Sequence, residues 1–215
     1  MKILLQECLN ALNIKISDKY IDTLIYFWDI LINYNKSINL ISRNLVNKNG
    51  FITHIVDSLC PMVFSWPGLL TYLDLGSGGG LPAIPLKIIN PSWKAYLIDS
   101  TGKKVDFLKL VGQRLKLDDF KVLNLFLKST TILPESRFNL ITTRGFASLD
   151  KTLPLISPFL SKGDHFLAFK GPKAHEELRA AKTKLQKYSL TLVELKEFTL
   201  PYIEVDRKLL LFEKF

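Results

Sequence analysis

Residues 73–86 read Leu73-Asp74-Leu75-Gly76-Ser77-Gly78-Gly79-Gly80-Leu81-Pro82-Ala83-Ile84-Pro85-Leu86. A short apolar run ends here in an acidic residue and alternating glycines, after which the chain enters a proline-bearing segment. Gly76, Gly78 and Gly80 lack a Cβ, so the backbone can turn with positive φ and lie directly against a ligand. Pro82 suits the first turn of a helix, where a missing N–H costs nothing. A strand, a glycine turn and a helix start describe the first βα unit of a doubly wound sheet, with a nucleotide-type ligand at the turn.

The spacing separates two cofactor classes. A dinucleotide fingerprint runs Gly-x-Gly-x-x-Gly, and its third glycine would fall on Leu81. The arrangement is instead Asp74-x-Gly76-x-Gly78-x-Gly80, whose acidic residue would repel a pyrophosphate but suits a ligand bearing an ammonium and a sulfonium. It resembles the first motif of the S-adenosylmethionine-dependent methyltransferases. Further on, the apolar run Ala95-Tyr96-Leu97-Ile98 ends in Asp99, a carboxylate positioned to accept hydrogen bonds from both ribose hydroxyls.

From Leu70 onward, short apolar runs alternate with amphipathic ones, the pattern of βαβ units and a mostly parallel sheet. Strands are predicted near 71–75, 94–98, 121–127, 138–143, 164–169, 190–198 and 207–213. Helices fall between them, the clearest over Gly102–Leu115 and another over Lys173–Tyr188. The last two strands are separated only by a turn, so they should form an antiparallel hairpin. Seven strands ending this way resemble the class I, Rossmann-like methyltransferase fold. Ahead of them lie three predicted helices: residues 2–12, a second capped by the Ser17 side chain and ending near Tyr34-Asn35, and a third over 49–62. Residues 1–66 are therefore expected to form a helical N-terminal extension, and residues 67–215 the S-adenosylmethionine-dependent domain, in one compact unit.

At 215 residues, with 47% hydrophobic and 23% charged side chains, the chain has the makings of one good core. The apolar stretch Ile21–Ile32 is interrupted by Asp22 and Asp29 and is too short to span a bilayer. No signal sequence is legible, and a cytoplasmic monomer is expected. Cys8 and Cys60 sit in apolar helical settings, which points to reduced core residues; no metal site is expected. The net charge of +9 fits a polyanionic partner, and it equally fits a Lys-, Asn- and Ile-rich compositional drift.

The acceptor can be argued from the chemistry each candidate needs. Exocyclic amines of adenine or cytosine are usually methylated beside an Asn- or Asp-Pro-Pro-Tyr loop, yet the position after the fourth strand reads Thr142-Thr143-Arg144-Gly145-Phe146-Ala147. Carbon-5 of a pyrimidine needs a covalent nucleophile, and both cysteines precede the cofactor loop. A hydroxyl needs a base or a metal to take its proton. Guanine N7 needs neither, because its lone pair is already free; such a site must supply proximity and an in-line approach. Competing readings are a methyltransferase for a small molecule or protein, an NAD-dependent oxidoreductase disfavoured by Leu81, and a non-catalytic RNA-binding protein.

The stretch 73–86 also resembles the glucose-inhibited division protein B family, the bacterial 16S rRNA guanine-N7 methyltransferases. Other blocks agree: Asn35-Lys36 with Asn39-Leu40, His54 with Asp57-Ser58, Asp99-Ser100 with Lys103-Lys104 and Phe107-Leu108, Arg144 with Phe146-Ala147, and Lys170-Gly171. The resemblance implies methyl transfer from S-adenosylmethionine to N7 of a guanine in the 530 loop of small-subunit rRNA, with 16S rRNA or the small ribosomal subunit as partner. Carried onto this chain, the cofactor contacts would be Gly76, Gly78 and Leu81, then Asp99, Ser100 and Thr101, the Leu127-Lys128 pair, and Arg144. Ala83 stands where the family commonly has Gly, and Gly145 where it commonly has Ala. At Leu127-Lys128 an acidic residue is usual, so the adenine amine is left to backbone groups.

Arg144 is the expected functional side chain, its fork of donors orienting the cofactor carboxylate, a substrate phosphate or guanine O6; the alternative is a structural ion pair. No general base is expected. His54, Asp57 and Ser58 share one helical face and read as a brace to the main domain, since no nucleophile elbow accompanies them. Lys103, Lys104, Lys170 and Lys173 are either an RNA track or a solvated face. Phe27, Trp28 and Tyr34 read as packing residues.

Overall fold

The computed structural model describes residues 1–215. Five strands, β1 (Thr71–Leu75), β2 (Lys94–Asp99), β3 (Phe120–Asn124), β4 (Leu140–Arg144) and β5 (His165–Lys170), pair in parallel, and β6 (Leu190–Leu200) and β7 (Val205–Lys214) close the sheet as an antiparallel hairpin. The order is β3-β2-β1-β4-β5-β7-β6, with β7 antiparallel to β5. Strands β1, β2 and β4 are buried almost throughout, as a sheet covered on both faces requires.

One face lies under α1 (Lys2–Ala11), α2 (Ile21–Tyr34), the short helices α3 (Lys48–Phe51) and α4 (Asp57–Leu59), α5 (Ala83–Ile89) and α6 (Gly102–Arg114). The other lies under α7 (Leu149–Ile156), α8 (Ala174–Lys187) and the irregular linker bearing Leu127, Leu133 and Phe138. The larger core runs from Leu5 to Leu211 and includes Phe27, Trp28, Tyr72 and Leu140, so the N-terminal helices are built into the core of the sheet. Truncating a buried anchor such as Phe27 to Ala would cost about 3–5 kcal/mol. Tyr34 packs on Phe107 at 5.7 Å between ring centroids, and Cys8 and Cys60 are free and buried. No helix is long and apolar enough to cross a membrane.

Three local expectations are corrected. Ser17 makes no side-chain capping bond, because a turn of 3-10 helix, Asp18–Tyr20, intervenes before α2. The helix expected over 49–62 is interrupted by a π-helical turn, Ile52–Val56, whose wider coil frees backbone carbonyls that a regular ladder would use. Strand β3 stops at Asn124, not residue 127, because Leu125, Phe126 and Leu127 leave the sheet to wall a cavity.

Candidate cofactor and active site

The sheet order reverses between β1 and β4, so their C-terminal ends open a crevice between helices on opposite faces. A cavity of about 440 Å³ fills it, walled by Leu75 and Gly76 after β1, Asp99 and Ser100 after β2, residues 125–129 after β3, and Phe146 after β4. The glycine turn is held over the end of β2: Gly76 and Ser77 N–H donate to the Ile98 carbonyl at 2.9 and 3.0 Å. Gly76 adopts φ +70° and Gly80 φ +80°, a region that side chains resist; a Cβ at Gly80 would lie 2.3 Å from Ile84 Cδ1.

Asp99 ties this arrangement together. Its Oδ2 accepts from Gly78 N–H at 2.9 Å and its Oδ1 from Thr101 N–H at 2.8 Å, while the residue lines the cavity at 6% exposure. Each oxygen has one backbone donor and retains acceptor capacity, the arrangement a vicinal diol would use. Beyond it, Leu127 gives an apolar wall, while both backbone groups of Lys128 are engaged with Thr131: the N–H donates to Oγ1 at 2.8 Å and the carbonyl accepts at 3.0 Å. An adenine here would rest on Leu127 without help from the Lys128 backbone.

The predicted site residues thus divide. Gly76, Asp99, Ser100, Leu127 and Lys128 line the cavity together. Gly78 and Thr101 support it through the N–H groups that hold Asp99. Leu81 is packed into the core behind the loop, its N–H directed to the Ser77 carbonyl. Arg144 lies off the cavity wall, at the seam between β4 and the N-terminal helices. Its Nη2 donates to the Thr53 carbonyl at 2.8 Å, lies 3.1 Å from His54 Nδ1 and pairs with Asp57 at 3.3 Å; its Nη1 reaches Ser58 Oγ at 3.1 Å. The carbonyls of Thr53 and His54 come from the π-turn, so that irregularity builds the receptor for the guanidinium. Arg207 on β7 adds a second bond to Asp57 at 3.2 Å. His54, Asp57 and Ser58 therefore form the brace to the main domain, and burial, with Arg144 and Arg207 nearby, pushes the His54 imidazole down to about 3.

Asp74 departs from its expected place beside the loop. It is 1% exposed beneath the loop, in a chain where Tyr72 Oη lies 2.7 Å from Thr142 Oγ1 and that hydroxyl donates to Asp74 Oδ1 at 2.5 Å. Burial pushes its carboxyl up to about 7 against the opposing Thr142 and Ser77 bonds and the Arg144 charge. Its Oδ2 has no partner. Lys170, offered as part of an RNA track, instead donates to the Ala147 carbonyl at 2.9 Å and pairs with Glu177 at 2.8 Å. Glu177 also accepts from Leu149 N–H, so the loop after β4 is stitched down from behind. Phe126, Ser129, Phe146 and Leu155 also line the cavity. Phe126, Ser129 and Phe146 sit in loops, whose exposure carries no periodic signal, and Leu155 of α7 has the residue type of any core-facing helical position.

The residues fit S-adenosylmethionine: a diol acceptor in Asp99, a glycine cradle and an apolar wall for a purine. Fold and site together define a class I, S-adenosylmethionine-dependent methyltransferase. Solved structures agree on the fold: a precorrin-6y methyltransferase from Geobacter metallireducens superposes with TM-score 0.57 at 11% identity over 81% of this chain and 93% of that one. A ribosomal protein L11 methylase from Lactobacillus delbrueckii superposes with TM-score 0.55 at 14% identity over 79% and 81%.

The chain belongs to the rRNA small subunit methyltransferase G family, whose pattern matches residues 20–209. It is 32% identical to the ribosomal RNA small subunit methyltransferase G of Lactobacillus acidophilus over 94% of this chain and 86% of that protein. It is 34% identical to that of Desulfitobacterium hafniense over 94% and 84%.

Proposed function

We propose that this protein methylates N7 of a guanine in the 530 loop of 16S rRNA, working in the cytoplasm as a monomer on rRNA or a small-subunit assembly intermediate. The observation that favours this choice of atom is the cavity wall: its titratable side chains are Asp99 and Lys128, and Asp99 is committed to two backbone N–H groups and, on this reading, to the ribose hydroxyls. A wall without a free base suits an acceptor that has no proton to lose.

When bound, S-adenosylmethionine supplies an electrophilic methyl group on a sulfonium. The chain's own part is placement. Asp99 fixes the ribose, Leu127 backs the purine, and the turn at Gly76 lets the ligand lie against backbone. Lys170 and Glu177 hold the loop after β4, where the acceptor must arrive, in one conformation. Such preorganisation replaces acid–base machinery as the source of rate.

Mapping rRNA from cells with and without this gene tests the reading. Loss of a single N7-methylguanine, read as loss of chemically induced strand cleavage in the 530 loop, is the expected result. An unchanged cleavage map would overturn the assignment.

A further inference from the structure

Phe126 and Phe146 are exposed phenylalanines on the cavity wall, and Phe146 is the one at its β4 end. It follows Arg144 at the end of β4, beyond Gly145, which turns with φ +59°, and its side chain is 41% exposed in a loop otherwise pinned by Lys170 and Glu177. The ring rests against Gly76: a Cβ there would lie 2.7 Å from Phe146 Cδ2. It also forms part of the cavity wall.

The strand order assigns this position a role. Along β3-β2-β1-β4, the apolar wall after β3 comes first, then the diol acceptor after β2, then the glycine turn after β1, and Phe146 after β4. A nucleoside-type methyl donor laid along that sequence, adenine end first, presents its sulfur end at the Gly76–Phe146 boundary. An exposed aromatic ring at that boundary is a surface on which an unstacked RNA base can lie.

We propose that the open face of Phe146 is the platform on which the target guanine stacks, and that it steadies the positive charge the purine acquires. The proposal rests on the N7 reading above. As the N7 lone pair forms the new N–C bond, the C–S bond breaks with its electron pair left on sulfur. No proton moves, and the positive charge passes from sulfur to purine. A π face attracts a cation more strongly than a neutral base, so the contact strengthens as the charge arrives.

The test compares Phe146→Leu, which keeps the packing on Gly76, with Phe146→Tyr, which keeps the π face. Wild-type transfer of labelled methyl to rRNA serves as the reference. Expected, with S-adenosylmethionine saturating for each variant, are a kcat about tenfold lower in the Leu variant and near-wild-type in the Tyr variant. A second readout needs no turnover: with S-adenosylhomocysteine bound, wild type should prefer a short RNA carrying 7-methylguanine over the same RNA carrying guanine, and Phe146→Leu should lose that preference. If wild type transfers methyl to N7 while the Leu variant matches it in kcat and keeps the preference, the stacking proposal alone is overturned. If wild type transfers no methyl to N7, the underlying reading fails and the proposal with it.

Discussion

Replacing Asp99 by Ala removes the one side chain that both shapes the cofactor turn and faces the ligand. Two losses follow, and they are separable. In the free protein, Gly78 N–H and Thr101 N–H lose an ionised acceptor at 2.9 and 2.8 Å. Thr101 precedes α6 and is exposed, so water can take over there, and the stability cost should stay near 1–2 kcal/mol. In the complex, two ribose hydroxyls lose bonds to a carboxylate, each worth about 1.5 kcal/mol at the low end, so affinity should fall by about 3 kcal/mol, or roughly a hundredfold in Kd. Calorimetric titration with S-adenosylmethionine and S-adenosylhomocysteine measures that loss, and a melt of the free protein measures the first. Both ligands should weaken alike, because they share the ribose. Binding within about threefold of wild type, in a variant shown to be folded, would refute the assignment of Asp99 to the diol.

Arg144→Lys should lower stability by about 3 kcal/mol, or a fall in Tm of roughly 6–12 °C, because a single ammonium replaces a fork bonded to Thr53, His54, Ser58 and Asp57. An unchanged melt would show that the brace carries no weight. Asp74→Asn should change how stability depends on pH, since the carboxyl is raised from 3.8 to about 7 on folding: the native state binds the extra proton between these values, and stability is lost as pH rises through that window, by on the order of 4 kcal/mol in full. The Asn variant keeps an acceptor for Thr142 and should flatten that part of a urea-melt pH series, whereas a profile identical to wild type would contradict a buried, raised Asp74. His54 acts in the opposite direction: its imidazole falls from 6.5 to about 3, so stability is lost as pH drops through that range, and a series without any acid-side loss would count against its burial. Affinity for an rRNA fragment should fall at least about tenfold between 50 and 200 mM salt, as several neutralised phosphates require, and a flat salt response would argue against a phosphate-bearing partner for this +9 chain.

The sheet was legible because its central strands, β1, β2, β4 and β5, are buried on both faces, and because short apolar runs bounded by glycine, proline or acidic residues mark the rest. The positions of Gly76 and Asp99 followed from the same logic, since a turn and a strand end fix where a side chain meets the crevice. What stayed hidden depended on contacts distant in sequence. Nothing near Arg144 in the chain announces that Thr53, His54, Asp57 and Ser58, some ninety residues earlier, will surround it. The burial of Asp74 follows from Thr142 meeting it across the sheet from β4, with Tyr72 two residues back on its own strand bonded to the same hydroxyl, a matter of register that composition does not carry. Leu127 and Phe126 have the residue types of a strand and were read as one, but the cavity claims them. Ser17 has the chemistry of a helix cap, and the intervening 3-10 turn leaves it unused.

The most direct measurement is in vitro: purified protein, S-adenosylmethionine with a labelled methyl group, and small-subunit rRNA from cells lacking the gene. Label confined to one guanine in the 530 loop, and released as 7-methylguanine, is the predicted result. Label on another atom or another RNA, or none at all from a protein that demonstrably binds the donor, would contradict the claim that this crevice methylates guanine N7.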